Sequence, residues 1–162
     1  VIKAKIVQRG DKLKKARGRL KRDSKREVQI GYFQEQGTHS SGYTFPELMA
    51  IHEFGLLDTT PVRDVFQITA ASIKPGQNKD VKSSVRRFLK DIVNGKGVED
   101  NLLDSGEPIR EALNSVFGDT SLLQENSERR VREKGRNEPL VDSGSLRDHL
   151  AIKEVKSGKM RT

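Results

Sequence analysis

Apolar and polar residues alternate at the start of the chain. Ile2, Ala4 and Ile6 fall on one side of residues 1–7 and Lys3 and Lys5 on the other. That period of two predicts a half-buried strand. Residues 8–22 then place Leu13, Ala16 and Leu20 at helical spacing among many basic residues, which predicts a helix with a narrow apolar seam, weakened by Gly18. Alternation returns through Val28, Ile30 and Tyr32 over residues 27–33, a second strand. Residues 34–45 are polar and Gly-rich until Phe45 and predict an exposed loop, with Phe45 as a hydrophobic staple for the next helix.

Helical spacing dominates the middle of the chain. Pro46 suits the first turn of a helix running through Leu48, Met49, Ile51 and His52 to a stop at Gly55. A further helix is expected over residues 61–72, with Val62, Val65, Phe66 and Thr69 on one face, before Pro75 and Gly76 break the chain. Residues 79–94 carry Val81, Val85, Phe88, Leu89 and Ile92 as a predicted buried stripe and Lys82, Arg86, Arg87 and Lys90 opposite, with Gly95 just beyond the helix end. After a linker softened by Gly97, Asp104 or Ser105 is expected to cap a helix. Its first turn would hold Glu107 and Pro108, and its buried stripe Ile109, Ala112, Leu113, Val116 and Phe117.

Residues 118–138 are polar, with Leu122, Leu123 and Val131 their only large apolar side chains, and predict a helical fragment or a mobile arm. In the stretch after them, Pro139 favours an extended approach. Asp142 and Ser143 can accept hydrogen bonds from free backbone N–H groups, and Gly144 permits a left-handed turn. Ser145 and Asp148 have capping-box spacing, with Asp in place of Glu or Gln. From Leu146 onward the pattern loosens toward strand, Leu150 and Ile152 facing one way and Ala151, Lys153 and Val155 the other. The expectation is one α+β domain, a small mostly antiparallel sheet packed against amphipathic helices, with extended loops or arms.

Composition sharpens this picture. A chain of 162 residues fits one domain, yet only 33% are apolar, 33% are charged and none is Trp. That is a thin supply for a large core, and burial by a neighbouring subunit would complete it. Without Cys there is no disulfide, thiolate metal site or thiol nucleophile. No apolar run approaches a membrane span, and Lys3 and Lys5 interrupt the first residues as a signal-peptide core would not tolerate. A soluble protein with no membrane partner is expected.

The net charge of +8 is concentrated: residues 1–27 hold twelve Lys or Arg against Asp11, Asp23 and Glu27, leaving the rest near neutral. Such a field can steer DNA or an acidic protein surface. Candidate contacts are Lys12, Lys14, Lys15, Arg17, Arg19, Lys21 and Arg22, with a second cluster at Arg129, Arg130 and Arg132. The alternative function this suggests is a basic nucleic-acid-binding protein gripping phosphates. Six Phe and two Tyr without basic–aromatic interleaving do not suit base stacking.

Catalytic patterns are sparse. His52-Glu53 would need a second His where Leu56 stands, so the H-E-x-x-H spacing fails. Gly95-Lys96-Gly97 would need Gly at Asp100 to make a dinucleotide loop. His39, His52 and His149 lack ligand spacing, and no nucleophile elbow surrounds Ser143 or Ser145. The sharpest enzymatic alternative is a Mg²⁺-dependent nuclease built from Asp142, Glu154 and Lys156. The expectation is a non-enzyme without cofactor or metal.

Two stretches carry a family resemblance. Pro139, Leu140, Val141, Asp142, Ser143, Gly144, Leu146 and Arg147 before the last strand, preceded some ninety residues earlier by Ala50, Glu53, Phe54 and Gly55, resemble the tailed-phage virion morphogenesis family of tail-completion or neck proteins. Pro61, Arg63 and Phe66 partly echo a Pro-Arg-Pro-Phe-like segment that usually comes next there, in a chain that here reads TTPVRDVF. The likeness spans most of the chain. It implies a structural virion protein of the head-tail neck, assembled in the host bacterial cytoplasm. Its partners would be sister copies in a ring of six, portal or head-completion proteins, and tail-terminator or tail-tube proteins, with passing contact to genomic DNA. Subunit-interface candidates are Ile51, His52, Phe54, Gly55, Leu56 and Leu57, with Leu140, Val141, Asp142, Ser143, Gly144, Leu146 and Arg147.

Overall fold

The computed structural model describes residues 9–57, 59–74 and 78–156. The strand expected over residues 1–7 lies outside them, as do Pro75 and Gly76. In chain order come α1 (Arg9–Arg22), β1 (Arg26–Gly31), a 3-10 turn (Gln34–Gln36), α2 (Phe45–Phe54), α3 (Val65–Ser72), α4 (Lys79–Asn94), α5 (Glu99–Val116), α6 (Glu128–Lys134), α7 (Ser145–Asp148) and β2 (Ala151–Lys156). The fold is α+β: the two strands pair antiparallel, Arg26 opposite Lys156 and Gly31 opposite Ala151, and helices cover the ribbon.

Helix α5 is the spine, touching α3, α4 and both strands. Its middle can lie on the ribbon because Gly106 has no side chain. A Cβ there would stand 2.6 Å from Ile152 Cδ1 and 2.9 Å from Val28 Cγ1. The expected start at Asp104 or Ser105 is corrected to Glu99, and Pro108 lies inside the helix. Proline offers no N–H to the carbonyl of Asp104. The buried hydroxyl of Ser84, on α4, donates instead to the carbonyls of Asp104 and Ser105, at 3.4 Å each. A neighbouring helix thus supplies the missing donor.

Packing divides into two clusters. The larger core gathers Phe45, Met49, Val65, Leu113, Val116, Phe117, Leu123, Val141, Leu146 and Leu150. A smaller one joins Ala16, Ile92 and Val98 with Leu20, Phe88, Val93 and Leu102, and so holds α1 onto α4 and the start of α5. The expected seams are only partly buried. Leu13 on α1 and Val85 and Leu89 on α4 remain exposed, because the buried side of α4 centres on Ser84, Phe88 and Ile92. Gly95 ends α4 in the left-handed conformation, its N–H bonded to the carbonyl of Ile92.

Other expectations are corrected by contacts distant in sequence. Phe45 belongs to α2 rather than to an exposed loop: it is buried and stacks on His149 with ring centres 3.8 Å apart. Residues 34–44 are mostly exposed but tied down, since the Gln36 side chain accepts from Phe33 N–H and donates to the carbonyl of His149. Helix α3 begins at Val65, not at Pro61, because Arg63 N–H bonds to the carbonyl of His52 and holds the approach out of helical register. Residues 118–138 include the expected helical fragment, as α6, and are joined to the rest of the fold. Leu123 is buried, and the guanidinium of Arg63 donates to the carbonyls of Gln124 and Glu125 and to the side-chain oxygen of Asn126. Between the Gly144 turn and β2 stands the four-residue α7, so Leu146 is helical and the strand starts at Ala151.

Candidate assembly surface

Helix α2 delivers the first motif stretch to the surface. Thr44 caps it by accepting from Glu47 N–H at 3.4 Å, while the Glu47 carboxylate accepts from Thr44 N–H at 2.9 Å. At its other end Glu53 is buried and accepts from Phe66 N–H at 3.3 Å, so its carboxylate caps α3, where Asp64 makes no side-chain cap. Burial raises the pKa of Glu53 from its ordinary value, against the lowering effect of that N–H.

Gly55 then reverses the chain at φ 75°, where a Cβ would stand 2.9 Å from the carbonyl oxygen of Thr60 and 3.0 Å from Val62 Cγ2. Leu56 and Thr60 pair as a bridge, closing a tight loop. This loop displays apolar side chains outward: Phe54 is 76% exposed and Leu57 91%, with Leu56 and Val62 about half so. Four large exposed apolar side chains thus fall within nine residues around this turn, and large exposed apolar patches mark interaction sites.

A cleft of about 930 Å³ opens beside this rim. Leu48 and His52 line it from the first motif stretch, Leu56 and Thr60 from the loop that follows, and Leu140, Asp142, Ser143 and Leu146 from the second. Two segments some ninety residues apart thus form one surface. Arg63, Arg130 and Lys134 add cationic walls. Burial, and next the charge of Arg63, depress the pKa of His52 from 6.5 to about 4. Its buried Nδ1 has no hydrogen-bond partner among the described residues.

The interface candidates divide by exposure. Phe54, Leu56, Leu57, Asp142, Ser143 and Arg147 are exposed, Ile51, His52, Gly55 and Leu140 are half-buried, and Val141, Gly144 and Leu146 are buried. Val141 and Leu146 belong to the larger core, so they support the surface from below and do not face a neighbour. Gly144 takes φ 87° to start α7, and Ser143 Oγ accepts from Ser145 N–H at 3.2 Å. Asp142 is drawn into an ion pair with Arg130 at 2.6 Å.

The basic candidates also separate. On α1, Lys12, Lys14, Lys15, Arg17, Lys21 and Arg22 are exposed, whereas Arg19 is half-buried and donates to the carbonyl of Ile92 at 2.8 Å, closing the end of α4. In the second cluster Arg129 pairs with Glu133, Arg130 with Glu133 and Asp142, and Arg132 with Glu128. The nuclease candidates are engaged separately, Asp142 by Arg130 and Glu154 by Arg26, which also reaches Glu99 and Asp23. His39 and His149 flank the ring of Phe45. Among the described residues no group of three His, Asp or Glu could hold a metal ion.

Sequence reading passed over three contributors. The Thr44-x-x-Glu47 capping box was legible in the spacing itself. The Glu53 cap and the Arg63 clamp act across folded elements and leave no local signal. Compared with known proteins, the chain matches no family model, no curated protein and no solved structure.

Proposed function

We propose that this protein is a structural component of a tailed-phage virion, joining head to tail as a ring of sister copies. The observation that carries the reading is the outward loop of Phe54, Leu56, Leu57 and Val62 beside a cleft that both motif stretches line. Gly55 and the Leu56–Thr60 bridge hold this loop in shape before any partner arrives. Burying Phe54 and Leu57 contributes roughly 3–6 kcal/mol per contact before the cost of association.

A neighbouring copy covers the rim and enters the cleft, where Leu48, Leu56 and Leu140 supply apolar wall. The role is mechanical, and needs neither cofactor nor turnover. Mass measurement on the purified chain and on particles tests it: the wild type forms a closed oligomer and is present in virions in ring stoichiometry. A chain that stays monomeric at every soluble concentration and is absent from particles would contradict the reading.

A further inference from the structure

We infer that α1 and α4 together form a sequence-independent binding surface for the phosphate backbone of duplex DNA. Helix α1 holds eight Lys or Arg against Asp11 within 14 residues. Lys14, Arg17 and Lys21, three and then four residues apart, form one exposed row away from Ala16 and Leu20, the side that faces α4. Helix α4, packed on α1, adds a second exposed row in Lys82, Arg86 and Lys90, each four residues from the next. None of these six side chains has an ion-pair partner among the described residues. These six charges are therefore not matched by ion pairs among the described residues.

The other basic cluster is different. Arg129, Arg130, Arg132 and Arg136 are paired with Glu133, Asp142, Glu128 and Glu138. The sequence already concentrates its net charge in the N-terminal cluster, and the fold shows the other cluster matched by carboxylates.

Charge density points to a nucleic acid. At about 1.5 Å per residue α1 is roughly 21 Å long, and duplex DNA offers one negative charge per about 1.7 Å of axis. A protein partner would instead seek apolar or aromatic anchors. The exposed surface of α1 offers Leu13 alone, and α4 adds only Val85 and Leu89. With no aromatic residue among the exposed rows, the contact is to backbone and not to bases. This surface lies on other elements than the apolar rim and is read on the soluble chain, so its failure and that of the assembly reading are distinguishable.

Anisotropy of a labelled random-sequence duplex tests it. Binding is expected at low salt and should weaken about 100-fold or more between about 50 and 200 mM salt, the loss corresponding to four or more phosphate contacts. The triple variant Lys14→Glu, Arg17→Glu, Lys21→Glu and the triple variant Lys82→Glu, Arg86→Glu, Lys90→Glu should each weaken binding at least about tenfold. Should either fail to fold, the corresponding Gln substitutions read the same effect. Arg129→Ala with Arg132→Ala should bind as the wild type does. Absent or salt-insensitive binding, full binding by either row variant, or an equal loss on changing Arg129 and Arg132 would overturn the inference. Tighter binding of poly-glutamate than of duplex would overturn it too, assigning the lobe to an acidic protein.

Discussion

At Arg63 a cation is buried and held by the carbonyls of Gln124 and Glu125 and the side chain of Asn126 rather than by a carboxylate. Burial lowers its pKa, yet guanidinium keeps its charge, and three oxygens bind it to the segment before α6. Arg63→Ala should cost roughly 2–4 kcal/mol in chemical denaturation, and protease should then cut first near residues 124–126. His52, next to Arg63, makes a pH prediction. Its depressed pKa means that the unfolded chain binds the proton more readily, so its contribution is present above pH 6.5 and lost as pH falls toward about 4. Glu53, raised by burial, acts with the opposite sign: its contribution is lost as pH rises through its folded pKa. The difference between wild type and His52→Gln isolates the imidazole. Melting temperature should fall less steeply between pH 6.5 and 4 in the variant, and parallel profiles would show that His52 titrates as it does in water. Neither residue announced its role, since its partners come from other turns of the fold.

Elements were legible where their signals were local. Helix α4 ends at Asn94 before Gly95, and α2 stops at Gly55, because a glycine able to take positive φ closes each. The start of α5 was not legible, since Pro108 reads as a first-turn residue until Ser84 is known to serve the Asp104 carbonyl. Likewise Gly106 gives no warning in sequence that a ribbon lies against it. Gly106→Leu should destabilise the fold by about 3 kcal/mol or more, because the stiff Val28 side chain must move as well as Ile152. If Gly106→Leu melts as the wild type does, the close crossing of α5 over the strands is wrong. The polar stretch 118–138 looked loose for a related reason: Leu123 and the Arg63 clamp fix it, and one buried leucine among many polar residues is a faint signal.

Across the whole molecule, two small cores and an outward apolar loop describe a fold with unfinished surface. The thin apolar supply was readable from composition, and the α+β class from alternation and helical spacing. Which apolar residues face out was not, because Phe54 and Val141 look alike in sequence and differ only once Gly55 turns the chain and Val141 joins the core. Assembly turns on what covers Phe54. Solution mass of wild type and Phe54→Asp, taken alongside their melting curves, is the most direct test. A closed oligomer is expected for the wild type and, for the variant, a monomer that still unfolds cooperatively and melts lower only by the association it has lost, because Phe54 is 76% exposed on the single chain and not part of its core. Identical masses for the two proteins, or a variant that does not fold, would contradict it.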